Sequence, residues 1–184
     1  MNVTIQEQKF SLAAEYDIET PHGAMFARKA FFSIPAKIDL TTGREDGRTI
    51  ATMHGHFSLL RSHYDFNFAD GREYHFGCEK LLKQVYVCER GDERYRLIEH
   101  HGLRWSIFRD DRQIAAVTRN RLVVGDGNQY SIRMNSDADA AVIACMVIAV
   151  NTADGDDDNR NTVTVDFGNI GPEERPVDES WEPS

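Results

Sequence analysis

From Ala140 to Val150 the chain carries eleven consecutive residues whose only polar side chain is the thiol of Cys145. A helix that is apolar on every side must be surrounded by protein or by lipid. Eleven residues are too few for a bilayer, which needs roughly 20. The run is therefore expected to be a buried helix over residues 138–151, with Val142, Ile143, Cys145, Met146, Val147 and Val150 as its structural core. Asn135-Ser136-Asp137 offers N-cap oxygens ahead of it, and Asp137 and Asp139 place negative charge where the helix dipole favours it. Something must wrap this rod, and the roughly 130 residues before it read as short strands. The simplest architecture is mainly β: a closed antiparallel barrel of about 12 strands enclosing a central hydrophobic C-terminal α-helix.

The strand signals are hydrophobic alternation bounded by turn residues. Val3 and Ile5 begin a weak first strand, and Pro21-His22-Gly23 joins a hairpin whose second arm starts at Ala24. Residues 36–40 and 49–57 form another pair, with Gly55 a candidate bulge. Tyr64, Phe66 and Phe68 alternate with Asp65 and Asn67 up to Ala69-Asp70-Gly71, which puts three aromatics on one face. Further strands follow at 82–88, 94–99, 103–108 and 113–117, separated by Gly91-Asp92, His101-Gly102 and Asp110-Asp111. A last hairpin is expected between residues 122–124 and 129–134. No βαβ alternation and no glycine-rich strand-to-helix turn occurs, which argues against a doubly wound nucleotide-binding fold.

The barrel and its helix account for residues 1–153. Residues 154–184 are rich in acidic residues and proline and poor in apolar ones, and are expected to form an acidic flexible tail. Thr162-Val163-Thr164-Val165-Asp166-Phe167 inside it alternates like an edge strand. The net charge of −9 disfavours nucleic acid and anionic membranes as partners bound through overall charge. Three cysteines, Cys78, Cys88 and Cys145, are odd in number and lack metal-ligand spacing. A reducing cytoplasm suits them better than a disulfide framework. The first residues carry no secretory signal pattern and no segment has transmembrane length, so a soluble cytoplasmic monomer is expected.

Residues 102–122, GLRWSIFRDDRQIAAVTRNRL, and 129–151, QYSIRMNSDADAAVIACMVIAVN, resemble the tubby C-terminal-like superfamily, in particular its LURP-one-related branch. Trp105-Ser106-Ile107-Phe108, the Asp110-Asp111 turn, Gln113-Ile114-Ala115 and the Asp137/Asp139 pair carry the likeness, which extends more weakly over residues 50–77. The resemblance implies a barrel of about twelve strands around the C-terminal helix. It implies no catalytic signature. Tubby proteins bind phosphoinositides and the related scramblases act on membranes, so it raises phospholipid as a ligand class.

Several residue patterns invite a chemical reading, and each meets a blander one. His54 and His56 share one face of a strand, a spacing suited to two metal ligands, with His63 or His75 as a third. However, no glutamate follows as a cupin-type metal motif would require, and solvated strand histidines are common. Asp154, Asp156 and Asp158 alternate like the first ligands of an EF-hand loop, but Asn159 stands where glycine is needed and Val165 where the bidentate glutamate is needed. Arg104, Arg109, Arg112, Arg119 and Arg121 are candidates for an anion or lipid-headgroup patch because guanidinium forks fit phosphate. Interleaved Asp110, Asp111 and Asp126 make a merely solvated mixed surface the competing reading. No activated cysteine or G-x-S-x-G serine is present. The expected function is a non-enzymatic binding or scaffold module of the LURP-one-related type, without cofactor, for a protein partner or phospholipid headgroup. The alternatives are a peripheral phospholipid-binding protein and a metal-dependent barrel enzyme using His54 and His56.

Overall fold

The computed structural model describes residues 1–8, 14–30, 33, 35–56, 63–80, 84–121, 127–158 and 175–184, with backbone alone for Arg121 and residues 153–158. Twelve strands run in chain order: β1 (Asn2–Gln8), β2 (Glu15–Thr20), β3 (Gly23–Lys29), β4 (Lys37–Thr41), β5 (Thr49–His56), β6 (His63–Phe68), β7 (Glu73–Lys80), β8 (Val85–Arg90), β9 (Glu93–His100), β10 (Arg104–Arg109), β11 (Arg112–Arg121) and β12 (Asn128–Met134). Among the described residues one helix, α1 (Ala140–Asp158), follows. Each strand pairs antiparallel with its neighbours in sequence, and β1 pairs with β12, with Ile5 opposite Tyr130, so the meander closes into a barrel. Closure leaves no unpaired edge in the sheet.

Alternation decides which residues face inward. On β6, Tyr64, Phe66 and Phe68 are buried while the residues between them are not. Phe66 stacks on Phe76 of β7, which stacks on Tyr86 of β8, with ring centroids 5.4 and 5.7 Å apart. The central space is taken by α1, whose side chains from Val142 to Val150 are at most 1% exposed. That stretch includes every one of the six residues expected to form the helix core. A second, smaller cluster of Val85, Ile98 and Phe108 is also buried. Ile98 pairs with Ser106, so this cluster lies on the outward side of β8–β10.

Several boundaries differ from expectation. The helix continues to Asp158 rather than ending at 151, so Asp154, Asp156 and Asp158 lie on helical backbone, not on a linker or an EF-hand loop. Gly55 is no bulge: it keeps register opposite Tyr64, and a Cβ there would meet Tyr64 Cε1 and the Ala36 oxygen, each at 3.2 Å. Glycine leaves room for this close inward approach, while the irregularity sits at Leu40/Thr41. β11 runs from Arg112 to Arg121, past the end expected at 117. Residues 122–126 and the expected edge strand at 162–167 lie outside the described residues. The Asp110-Asp111 turn has φ of 49° and 65°, the left-handed pair of a two-residue hairpin whose twist matches its strands.

Candidate functional site

The five arginines singled out by sequence divide between two ends of the barrel. Arg109 and Arg112 face each other beside the Asp110-Asp111 turn, whereas Arg104 pairs with Thr118 and the Arg119 amide bonds to Leu103 at the far end. Five residues of strand, about 17 Å, separate Arg104 from Arg109. Arg109 donates to Asp137 Oδ2 at 2.7 Å, and Arg112 Nη1 lies 3.8 Å from the same oxygen. Arg104 donates to Glu179, and the Arg119 guanidinium sits 5.9 Å from the centre of the Tyr130 ring. The Arg121 side chain lies outside the described residues. The acids that meet Arg104, Arg109 and Arg112, namely Glu179 and Asp137, come from beyond the helix and from the helix approach.

The buried part of the helix is tied to the wall where it starts and where its apolar run stops. The cap is Asp139, rather than Asn135-Ser136-Asp137: its Oδ1 accepts from the amides of Ala141 and Val142 at 2.9 and 3.2 Å. Its other oxygen accepts from Arg72 Nη1 at 2.6 Å, and Arg72 Nε donates to Asp70. Burial opposes the charge on Arg72, but the two carboxylates hold it more firmly protonated than usual. Where the apolar run stops, Asn151, 4% exposed, accepts from the Tyr130 hydroxyl and from Asn128 Nδ2, and donates to the Tyr16 hydroxyl. Sequence reading passed over Asn151, although it is the first polar residue after the apolar run.

On the outer face of β5–β7, His54, Asp65 and His75 lie side by side, as do His56 and His63. Asp65 bridges two of the imidazoles: His56 Nε2 to Oδ2 and His75 Nδ1 to Oδ1, each 2.6 Å. Burial alone would raise the Asp65 carboxyl, but the hydrogen bonds and charge of His75 and His56 bring it below its ordinary value. Among the described residues no three His, Cys, Asp or Glu side chains are gathered so as to hold a metal ion. The histidine pair suggested by sequence thus does not converge with a third ligand; His56 is engaged by a carboxylate. Cys88 and Cys145 are free thiols, and burial pushes both well above their ordinary pKa, which makes them poor nucleophiles.

The most developed surface feature lies on β10–β12. Residues 175–184, expected to belong to a solvated tail, cross the outside of these strands. The Arg175 guanidinium covers the Phe108 ring at 4.4 Å, Glu179 meets Arg104, and Glu182 lies 3.4 Å from Arg133. The backbone of Ser184 pairs with Ser136 N and Asn135 Oδ1, each at 2.9 Å, and its hydroxyl accepts from Arg112. A cleft of about 330 Å³ remains between segment and wall, lined by Phe108, Gln113, Asn135, Pro176 and Trp181 among others. Arg133 was not among the arginines chosen from sequence, although alternation along β12 already points it outward.

Among the described residues no helix is long and apolar enough to cross a membrane, which says nothing of strands. No curated protein and no solved structure matches the chain. The family model described as LURP-one-related matches residues 1–151, from the first strand of the barrel to the buried asparagine that anchors the helix, and the chain belongs to that family.

Proposed function

We propose that this protein is a non-enzymatic, cytoplasmic binding module that recognises a protein partner through its outer wall. The observation that carries this reading is the filled interior. The space in which other barrels hold ligands or reacting groups is occupied here by α1, whose side chains from Val142 to Val150 are buried on all sides. Recognition then falls to the outside, where β10–β12 already accommodate a peptide segment. Buried free thiols suit a reducing compartment. The phospholipid alternative is less favoured, because the arginines that would meet a headgroup stand at two ends of the barrel and three of them are paired with carboxylates.

A peptide array probed with the whole chain tests the reading. Retention on a subset of peptides, lost in the outer-wall variant Arg104→Glu, is the expected result. Absence of wall-dependent retention together with flotation on phosphatidylserine or phosphoinositide vesicles would transfer the function to lipid. Stoichiometric metal in the purified protein, with turnover, would revive the enzyme reading.

A further inference from the structure

We propose that the outer face of β10, β11 and β12 is a docking surface for acidic peptides bearing an aromatic side chain, with residues 175–184 as its resident occupant. The proposal rests on the protein-binding reading above and names its site and partner class.

The chemistry of the face is complementary to such a peptide. Register aligns Ser106, Ala116 and Arg133 across the three strands, and Arg104, Thr118 and Ser131 in the next row. The inward partners of these rows, Trp105, Val117 and Ile132, are all in the core. The result is a shallow floor of small side chains between two guanidinium groups, Arg104 and Arg133, with Phe108 at one end. The segment brings three carboxylates, Asp178, Glu179 and Glu182, against one guanidinium, Arg175. Glu179 and Glu182 meet the two wall arginines, while Val177, Trp181 and Pro183 are the half-buried positions between exposed ones. Main-chain bonds at Ser184 add sequence-independent grip.

The hold is built to be exchangeable. Both ion pairs are exposed, with side chains 41–77% accessible, and pairs of that kind are individually weak and salt-screened. The cleft of about 330 Å³ beside Phe108 and Trp181 shows that the segment does not fill its seat. Only 16 residues, 159–174, separate it from the end of α1. Because the segment belongs to the same chain, its seating is an intramolecular step, and a contact too weak to hold a free peptide can still be occupied. A partner peptide with the same charges and a better-fitting aromatic would displace it.

The test uses the full chain. Glu179→Arg combined with Glu182→Arg sets like charges opposite Arg104 and Arg133 and releases the segment without shortening the protein. A fluorescent peptide of residues 175–184 is then titrated by anisotropy. The expected result is binding to the double variant at least tenfold tighter than to the wild type, weakened by salt and lost when Arg104→Gln and Arg133→Gln are added, neutral changes that do not rebuild the ion pairs with reversed sign. All these positions are exposed or half-buried, and an unchanged melting temperature verifies the fold of each variant. Equal binding to wild type and double variant, or indifference to the wall arginines, would overturn the proposal. If the released face floats phosphatidylserine vesicles but ignores the peptide, the anion it takes is a headgroup and the proposal fails. Array peptides retained through another part of the wall would refute this site while leaving the protein-binding reading intact.

Discussion

Placing a carboxylate on either side of α1 is the severest test of the enclosed helix. Cys145 and Val147 are both 0% exposed and, at roughly 100° per residue, project about 160° apart around the axis. Aspartate is close to both in size, so Cys145→Asp and Val147→Asp chiefly add charge. A fully buried carboxyl has its pKa raised by about 3–5 units. At 1.36 kcal/mol per unit the full cost is about 4–7 kcal/mol once the pH has passed the folded value, and about 4 kcal/mol at pH 7, which lies only about 3 units above the unfolded value; a typical domain has a total stability of about 5–15 kcal/mol. Each variant should therefore lose a large share of its stability at neutral pH. The sign with pH is also defined. Because the folded-state pKa is raised, the deficit is absent below the unfolded value near 4, grows as pH rises above it, and levels off beyond the folded value. Val147→Thr, which adds a hydroxyl without charge, should cost about 1–3 kcal/mol with no such pH dependence. Urea unfolding followed through the fluorescence of buried Trp105 reads both quantities. Either aspartate variant unfolding within about 1 kcal/mol of wild type at neutral pH would mean that its side of the helix faces solvent, and the reasoning would fail.

Other expectations follow from close contacts and titrating groups. A Cβ on Gly127 would overlap the backbone oxygen of Glu7, so Gly127→Ala should cost about 1–3 kcal/mol, whereas Gly77→Ala meets only the exposed ring of His63, which can swing aside. Differential scanning calorimetry should show a fall of about 2–4 °C per kcal/mol for the first, and equal melting temperatures for the two variants would contradict the geometry. The Asp65 carboxyl, lowered by His75 and His56, contributes stability that is present above its unfolded value near 4 and lost as pH falls through the lower folded value. Asp65→Asn should flatten that acid limb; an unchanged acid melting profile would show that the bridge contributes nothing. Cys78, Cys88 and Cys145 are buried thiols and should react with a thiol reagent only after unfolding. Rapid native labelling of Cys145 would be inconsistent with the closed barrel.

The parts of the molecule legible in the chain were those set by local pattern. The run from Ala140 to Val150 announces enclosure whatever encloses it, because no face of such a helix can meet water. Tyr64, Phe66 and Phe68 declare an inward face through their alternation alone, and the Asp110-Asp111 turn is set by two residues that tolerate left-handed backbone. Functional residues were less legible. Arg104 and Arg109 look equivalent along β10, yet five residues of extended chain place them at opposite ends of the barrel, one against Glu179 and the other against Asp137. Asp65 reads as a solvated strand residue until the register of β5, β6 and β7 brings His56 and His75 to its two oxygens.

That a dry helix must be wrapped by strands is thus written in residues 140–150 and in the alternation before them, since hydrophobic periodicity is a property of neighbouring residues and burial follows from it. Tertiary structure alone decided the closure of β1 on β12, the capping of α1 by Asp139 with Arg72, the burial of Asn151 between Tyr16 and Tyr130, and the seating of residues 175–184 across β10–β12. Those contacts join residues as much as 135 positions apart. Ion pairs and hydrogen bonds of that reach depend on strand register and barrel closure, and no local run of residues encodes which distant partner will arrive.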